Sequence, residues 1–310
     1  MTRDASDASD DEARVVVITG ASSGIGLATA HAFAGQGARL VLSARGSAAL
    51  HRAEKECLAR GASGTLVVAA DVADEDAVDA VCERAVERFG RVDVWVHSAA
   101  VVAYGRFEDV PSRVWQRVVD TNVHGTANVA RTSLRHFRGR DRGTLVLLGS
   151  LLGEIATPFM SSYVTSKWAV RGLARVLSIE TRAHPDIHVC TVSPGGVNTP
   201  VYRQAATYAG HHGSPPPPVV QPEKVARAIV RCAENPRARV SVGPGNLVAR
   251  AGFTALPAVY DLLVSPMMRL LGLGRAQVPD TEGNVFGPAE DGDGVHGHWN
   301  VLGLPTRRSR

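Results

Sequence analysis

The sequence predicts an α/β protein built on a doubly wound parallel sheet in one domain, carrying a C-terminal extension. Three observations predict it. Unbroken apolar, β-branched runs such as Val15-Val-Val-Ile18 recur along the chain, and runs of this kind mark strands buried on both faces. Between them lie stretches of helical periodicity, and alternation of the two implies parallel strands joined by right-handed crossovers. The first run also passes directly into a glycine-rich turn and then a helical pattern. The length, 310 residues, suits this plan.

Residues 1–12 are acidic and almost free of large apolar groups, so they are expected to be a disordered tail. Order begins at residue 13. After Arg14-Val-Val-Val-Ile-Thr19 comes Gly20-Ala-Ser22-Ser23-Gly24-Ile25-Gly26. Glycines here permit a tight turn and close backbone approach, and the following helix offers unpaired N–H groups to a pyrophosphate. No Gly-Lys-Ser/Thr ending follows, which argues against a nucleoside-triphosphatase loop.

The second strand, Arg39-Leu-Val-Leu-Ser43, ends at Ala44-Arg45. An acid at this place would hold the ribose hydroxyls of NAD, whereas an arginine suits a 2′-phosphate, so the pair favours NADP(H) over NAD(H). A helical stretch near 47–60 leads to Thr65-Leu-Val-Val-Ala-Ala70 and then Asp71-Val72. Asp71 could accept from the adenine amino group or cap the next helix. Strand four, Val92-Asp-Val-Trp-Val96, is followed by His97-Ser-Ala99-Ala100, small residues that leave room for a ribose and nicotinamide. One long helix is expected from Pro111 to Phe137. Within it Asn122 interrupts an apolar face, either as a buried amide bonded to backbone or as one fixing a water near Lys167.

Leu145-Val-Leu-Leu148 reads as a buried strand delivering Ser150, and a helix beginning near Ser162 carries Tyr163 and Lys167. Residues four apart stand on one helix face. A phenol is a poor acid–base group at neutral pH, with an ordinary pKa of about 10, and an ammonium one turn away is expected to lower it. The pair could then exchange a proton with a carbonyl or alcohol oxygen that the Ser150 hydroxyl polarises. Another buried strand, Ile187–Val192, ends in Ser193-Pro194-Gly195-Gly-Val197-Asn-Thr199, where a turn can wrap a cofactor ring and the Thr199 hydroxyl can hold a carboxamide. Residues 200–222, with Tyr202, Tyr208, His211, His212 and four consecutive prolines, suit a mobile lid over a substrate, and Tyr202 is a candidate substrate contact. A helix from Pro222 and a strand at Arg239–Val242 complete the domain at residue 245.

Residues 246–279 form an apolar, helical extension broken by Pro257 and Pro266. Its roles, in order of preference, are to cover the substrate pocket, to meet another subunit, or to lie on a membrane surface through residues 253–271. Residues 280–310 are glycine-rich and polar and are expected to be disordered.

Composition sets further limits. The formal charge of +4 and the lack of basic runs interleaved with aromatics argue against nucleic acid. No apolar stretch is long enough for a membrane span. Cys57, Cys82, Cys190 and Cys232 show no metal-ligand spacing and no secretory leader precedes them, so they read as reduced thiols of a cytoplasmic protein without a metal. The arginine- and alanine-rich bias points to a bacterial gene.

With these residues in place, the chain resembles the short-chain dehydrogenase/reductase family over residues 14–245, in its Tyr-x-x-x-Lys form with a Thr-Gly-x-x-x-Gly-x-Gly loop. The resemblance rests on Thr19–Gly26, Asp71-Val72, Asn122, Ser150, Tyr163 with Lys167, and Pro194-Gly195 with Thr199. It implies a Rossmann fold, a nicotinamide cofactor and a homodimer or homotetramer. It also implies Tyr163 as acid/base, Ser150 as the residue orienting the substrate carbonyl, Lys167 on the nicotinamide ribose, and Asn122 behind a proton-relay water. One departure stands out: His97-Ser-Ala99-Ala100 replaces the family's Asn-Asn-Ala-Gly, adding an ionisable group and a bulkier residue beside the cofactor.

The expected function is hydride transfer between NADP(H) and a carbonyl or secondary alcohol on an apolar or mid-sized small molecule. The alternatives are a non-catalytic module that senses NADP(H), and an epimerase or dehydratase on the same fold. A sensor has no need of Asn122, Ser150, Tyr163 and Lys167 together.

Overall fold

The computed structural model describes residues 13–289 and 293–306. The acidic segment 1–12 lies outside them, as do 290–292 and 307–310. A seven-stranded parallel sheet runs in the order β10-β7-β6-β4-β1-β2-β3. Its strands are β1 (Val15–Thr19), β2 (Arg39–Ala44), β3 (Gly64–Ala69), β4 (Val94–His97), β6 (Gly143–Leu148), β7 (Ile187–Pro194) and β10 (Arg239–Val242). The helices between them are α1 (Gly24–Ala34), α2 (Ser47–Ala59), α3 (Glu75–Phe89), α4 (Ser112–Val119), α5 (Gly125–Arg138), α6 (Ser161–Glu180) and α8 (Pro222–Glu234).

Strand residues divide by parity between two cores. Val16, Ile18, Leu40, Leu42, Val94 and Val96 face α1, α2 and α8, meeting Phe33, Leu50 and Ile229. Val15, Val17, Val41, Trp95, Leu145 and Leu147 face the other way, against Val78, Val81, Val129 and Phe137 of α3 and α5. All five residues of β1 are buried, which explains its unalternating apolar run. Each such side chain, fully buried, stabilises the fold by roughly 1.5–3 kcal/mol before ordering costs.

The chain reverses direction across the sheet between β1 and β4, and the crevice outside the carboxyl ends of the strands at that switch point is where such sheets bind ligands.

The long helix expected over 111–137 runs without interruption from Ser112 to Arg138, as α4 and α5 with one π-helical turn, Asp120–His124, between them. The cause is Asn122. Its amide clasps the backbone of Val101, accepting from the N–H at 2.9 Å and donating to the carbonyl at 3.0 Å. An extra residue in the turn brings this side chain to the end of β4.

Residues 200–222, expected as a mobile lid, are tied down by two small sheets. After a single turn of helix, α7 (Val201–Gln204), β8 (Ala206–Thr207) pairs with β5 (Ala103–Tyr104), and β9 (His211–Gly213) pairs with β11 (Leu273–Gln277) of the extension. The extension adds α9 (Asn246–Ala255) and α10 (Pro257–Met267). It docks on α6 through an edge-on chain of rings, Trp168 to Phe253 to Tyr260, and it exposes Leu262, Leu263 and Leu270.

The segment 280–310 differs from the expected disorder over its described residues. Val285 is fully buried against Val101, Ala103, Val114 and Val118, and Trp299 is buried beside Tyr202. Two isolated anchors in a polar, glycine-rich run leave no periodic signal, yet they hold the segment across the crevice.

Candidate active site

The crevice is a cleft of about 660 Å³. One end is made by the turn after β1. Gly20 has φ +82°, and a Cβ there would fall 2.5 Å from the backbone nitrogen of Ala99. A Cβ on Gly26 would sit 1.9 Å from the carbonyl oxygen of Gly20. Only glycine allows this turn, and the tight packing brings Ser22, Ser23, Gly24 and Ile25 to the cleft wall. No side chain caps the start of α1 at Ser23, so the helix N-terminus suits an anion such as a pyrophosphate. The N–H of Gly24 itself donates to the carbonyl of Gly294, 2.8 Å away.

Arg45, Asp71 and Val72 line the cleft on the side of the glycine turn. Their partners are new. Asp71 pairs with Arg117 and accepts from the N–H of Ala73 at 3.0 Å, while the cap of α3 is Asp74, which accepts from Ala77. Arg45 donates to three backbone carbonyls of the C-terminal segment, those of Asn284, Val285 and Gly287.

Ala99, Ala100 and Ser98 line the middle of the cleft, but His97 does not. It lies on the Trp95 side of β4, opposite Thr19 in the ladder, with Nδ1 2.9 Å from the Thr19 hydroxyl. Burial, helped by the charge of Lys167, pushes its pKa down to about 3, so the ring stays neutral. The substitution is a core feature, not a cofactor contact.

Thr199 lines the cleft. Gly26, Pro194, Gly195 and Val197 are not among the residues that line the cleft. Pro194 pairs with Val242 at the end of β7, Gly195 abuts Asn246, and the N–H of Val197 donates to the Tyr202 hydroxyl at 3.4 Å.

At the other end of the cleft, β6 and α6 converge. Tyr163 and Lys167 both line the cleft, and the Ser150 hydroxyl acts on the phenol, favouring its ionised form. Ser150 also accepts from the N–H of Leu152 at 3.1 Å, which fixes its position at the strand end. Lys167 Nζ donates to the carbonyl of Leu148 at 2.9 Å and stands 5.6 Å from the centre of the Tyr163 ring. Burial dominates both groups. It raises the phenol to about 12, with Ser150 opposing, and lowers the ammonium to about 8. The phenol is therefore raised where Lys167 was expected to lower it, with Ser150 as the opposing influence, and Tyr163 keeps its proton across neutral pH. Asn122 is committed to Val101 and to the Ser166 hydroxyl at 3.0 Å. Both of its amide hydrogens are used, which is the backbone-bonded role weighed in the sequence.

Tyr163 also belongs to an apolar cluster with Tyr104, Met160, Leu152, Tyr202, Val264, Met268 and Leu273. The extension thus forms part of the wall beside the phenol. Sequence reading missed Gln204, Asn284, Pro288, Ala289 and Asp293 as cleft residues, since nothing in their pattern marks them. Among the described residues, no three His, Cys, Asp or Glu side chains gather as metal ligands.

A switch-point cleft with an uncapped helix start at one end and a Ser/Tyr/Lys group at the other fits a nicotinamide-dependent oxidoreductase. The chain belongs to the short-chain dehydrogenase family, whose model matches residues 14–208. It is 35% identical over 262 residues, 82% of this chain and 72% of the other, to an uncharacterized oxidoreductase, YxnA, of Bacillus subtilis. It is 36% identical to an A-factor type gamma-butyrolactone 1′-reductase of Streptomyces virginiae, covering 78% of this chain and 96% of that one. Among solved structures, an alcohol dehydrogenase of Thermococcus sibiricus complexed with 5-hydroxy-NADP superposes with a TM-score of 0.64 at 29% identity, covering 75% and 95%. The protein is an NAD(P)-dependent enzyme acting on CH–OH groups.

Proposed function

We propose that the enzyme interconverts a carbonyl and a secondary alcohol on an apolar small molecule, with Tyr163 as the acid/base. The observation that carries this reading is the convergence of Tyr163 and Lys167 on the cleft wall with the Ser150 hydroxyl acting on the phenol, Lys167 being tied to Leu148 at the strand end. The nicotinamide cofactor supplies or accepts the hydride. Tyr163, protonated at neutral pH, gives its proton to the carbonyl oxygen, and Ser150 donates a second hydrogen bond to that oxygen as negative charge develops there. Lys167, with hydrogens left after its bond to Leu148, suits the nicotinamide ribose. The apolar cluster around Tyr163 supports an apolar substrate. Ala44-Arg45 supports NADP(H) wherever the guanidinium is available to a 2′-phosphate. Exposed Val176 and Ile179 on α6 support a homodimer or homotetramer, and reduced buried thiols suit a cytoplasmic setting. No helix of the described residues is long and apolar enough to cross a membrane.

Tyr163→Phe tests the assignment. Turnover should fall on the order of a hundredfold to ten-thousandfold, while nicotinamide binding, followed by fluorescence, stays within threefold of wild type. Full activity in this variant would overturn the mechanism, and a sensing module would take its place.

A further inference from the structure

The C-terminal segment crosses the adenosine side of the cleft and is fastened along its length. Thr281 exchanges backbone hydrogen bonds with Thr207 at 3.0 and 2.8 Å. Asn284 donates from its N–H to the carbonyl of Gln204 at 2.7 Å, and Val285 is fully buried. Beyond the cleft, the side-chain oxygen of Asn198 accepts from the N–H groups of Gly297 and Trp299 at 3.1 and 2.8 Å.

Between these anchors the segment takes Arg45. Nη2 donates to the carbonyls of Asn284 at 2.5 Å and Gly287 at 3.0 Å, and Nη1 donates to that of Val285 at 3.0 Å. Arginine suits a phosphate because two parallel N–H groups on one edge of its plane grip two oxygens. The guanidinium has two such edges, Nη1 with Nη2 and Nε with Nη2. Each needs a hydrogen of Nη2, and both of those are committed to the segment, so neither edge is intact. The segment also brings the carboxylate of Asp293, paired with Arg52 at 3.0 Å, into the same cleft, where it opposes additional negative charge.

We propose that residues 284–287 compete with a 2′-phosphate for Arg45, so that the docked segment selects NAD(H) and NADP(H) binds only once the segment leaves the guanidinium. The inference rests on the reading of the cleft as a nicotinamide dinucleotide site. NADP(H) affinity is then reduced by the fraction of molecules in which Arg45 is released, whereas NAD(H), lacking that phosphate, carries no such cost.

The test measures dissociation constants of NADH and NADPH by nicotinamide fluorescence on the full-length wild type and on variants that dislodge the segment by two routes. Val285→Asp places a charge in its buried anchor. Gly283→Val acts separately: Gly283 has φ +50°, and a Cβ there would fall 2.2 Å from the carbonyl of Gln204. In both, the preference should move toward NADPH by at least tenfold, with NADH affinity within threefold of wild type. Adding Arg45→Ala to either should abolish the gain. Amide exchange of residues 284–289 in the wild type should accelerate with NADPH and not with NADH. A preference that moves less than threefold in both variants, or moves toward NADH, overturns the proposal. Failure of every protein to bind either cofactor would instead overturn the dinucleotide reading beneath it.

Discussion

Lys167 Nζ lies 2.9 Å from the carbonyl oxygen of Leu148, so α6 is fastened to the end of β6 by an ammonium buried in the protein. Burial lowers its pKa from 10.5 to about 8. Below pH 8 folded and unfolded chains both carry the charge, and the fold bears the full cost of burying it. Between pH 8 and 10.5 the unfolded chain holds more protons, so stability rises with pH. The raised pKa of Tyr163 acts in the opposite sense only above pH 10. Urea unfolding without added cofactor should show the wild type gaining about 2 kcal/mol on Lys167→Met between pH 8 and pH 10. A difference that stays constant with pH would show that the lysine is not desolvated.

His97 should make the fold acid-sensitive. Its pKa falls from 6.5 to about 3 through burial. The resulting stability is present above pH 6.5 and is lost as pH falls toward 3, because the unfolded chain takes a proton that the native ring refuses. The slope approaches about 1.4 kcal/mol per pH unit. His97→Asn, which restores the residue usual in the family, should flatten the loss of stability between pH 6 and pH 4. Parallel profiles for the two proteins would contradict this. Cofactor affinity should not change, because the ring lies outside the cleft.

Glu154 ties the loop after Ser150 to the last strand and the extension, accepting from Arg239 and Arg250 at 3.0 Å each. Burial works to raise its pKa, and the hydrogen bonds of Arg250 and Arg239 more than offset that. Glu154→Gln should cost about 1–3 kcal/mol at neutral pH. The gap from wild type should close as pH falls below 4.5, where the carboxylate takes its proton. Thermal unfolding at pH 7 and pH 3.5 reads both arms.

Two glycines should respond oppositely to alanine. In Gly26→Ala the new carbon would meet the Gly20 oxygen at 1.9 Å, so the turn opens and nicotinamide binding is lost. Gly172 lies inside α6 with nothing within 4 Å of an added Cβ. Gly172→Ala should therefore raise stability by about 0.5–1 kcal/mol, seen as a higher melting temperature with turnover unchanged.

What could be read from the sequence follows from range. β1 declares itself because every side chain is buried, and Tyr163 with Lys167 because one turn of one helix brings them together. The facing of His97 was not legible, since a strand end belongs equally to the sheet and to the cleft. The π-helical turn at Asn122 faces Val101, 21 residues away. Least legible was the fate of Arg45. Its partners lie 239–242 residues further on and are backbone carbonyls, which every residue possesses and no motif records. Burial reversed the expected shift of Tyr163 for a related reason: spacing shows the neighbour, not the dielectric around it.

The hydrogen bond from Gly24 to Gly294 also bears on how the protein is made. A ribosome delivers the chain from its first residue onward, and β1, the glycine turn and α1 are available to pack long before residue 294 has been synthesised. The cleft therefore passes through a stage, during every round of translation, in which its adenosine wall is open and Arg45 has no carbonyls to hold. A dinucleotide present at that stage meets a wider and more basic site than the finished enzyme offers. The segment around Gly294, delivered later, then completes that wall.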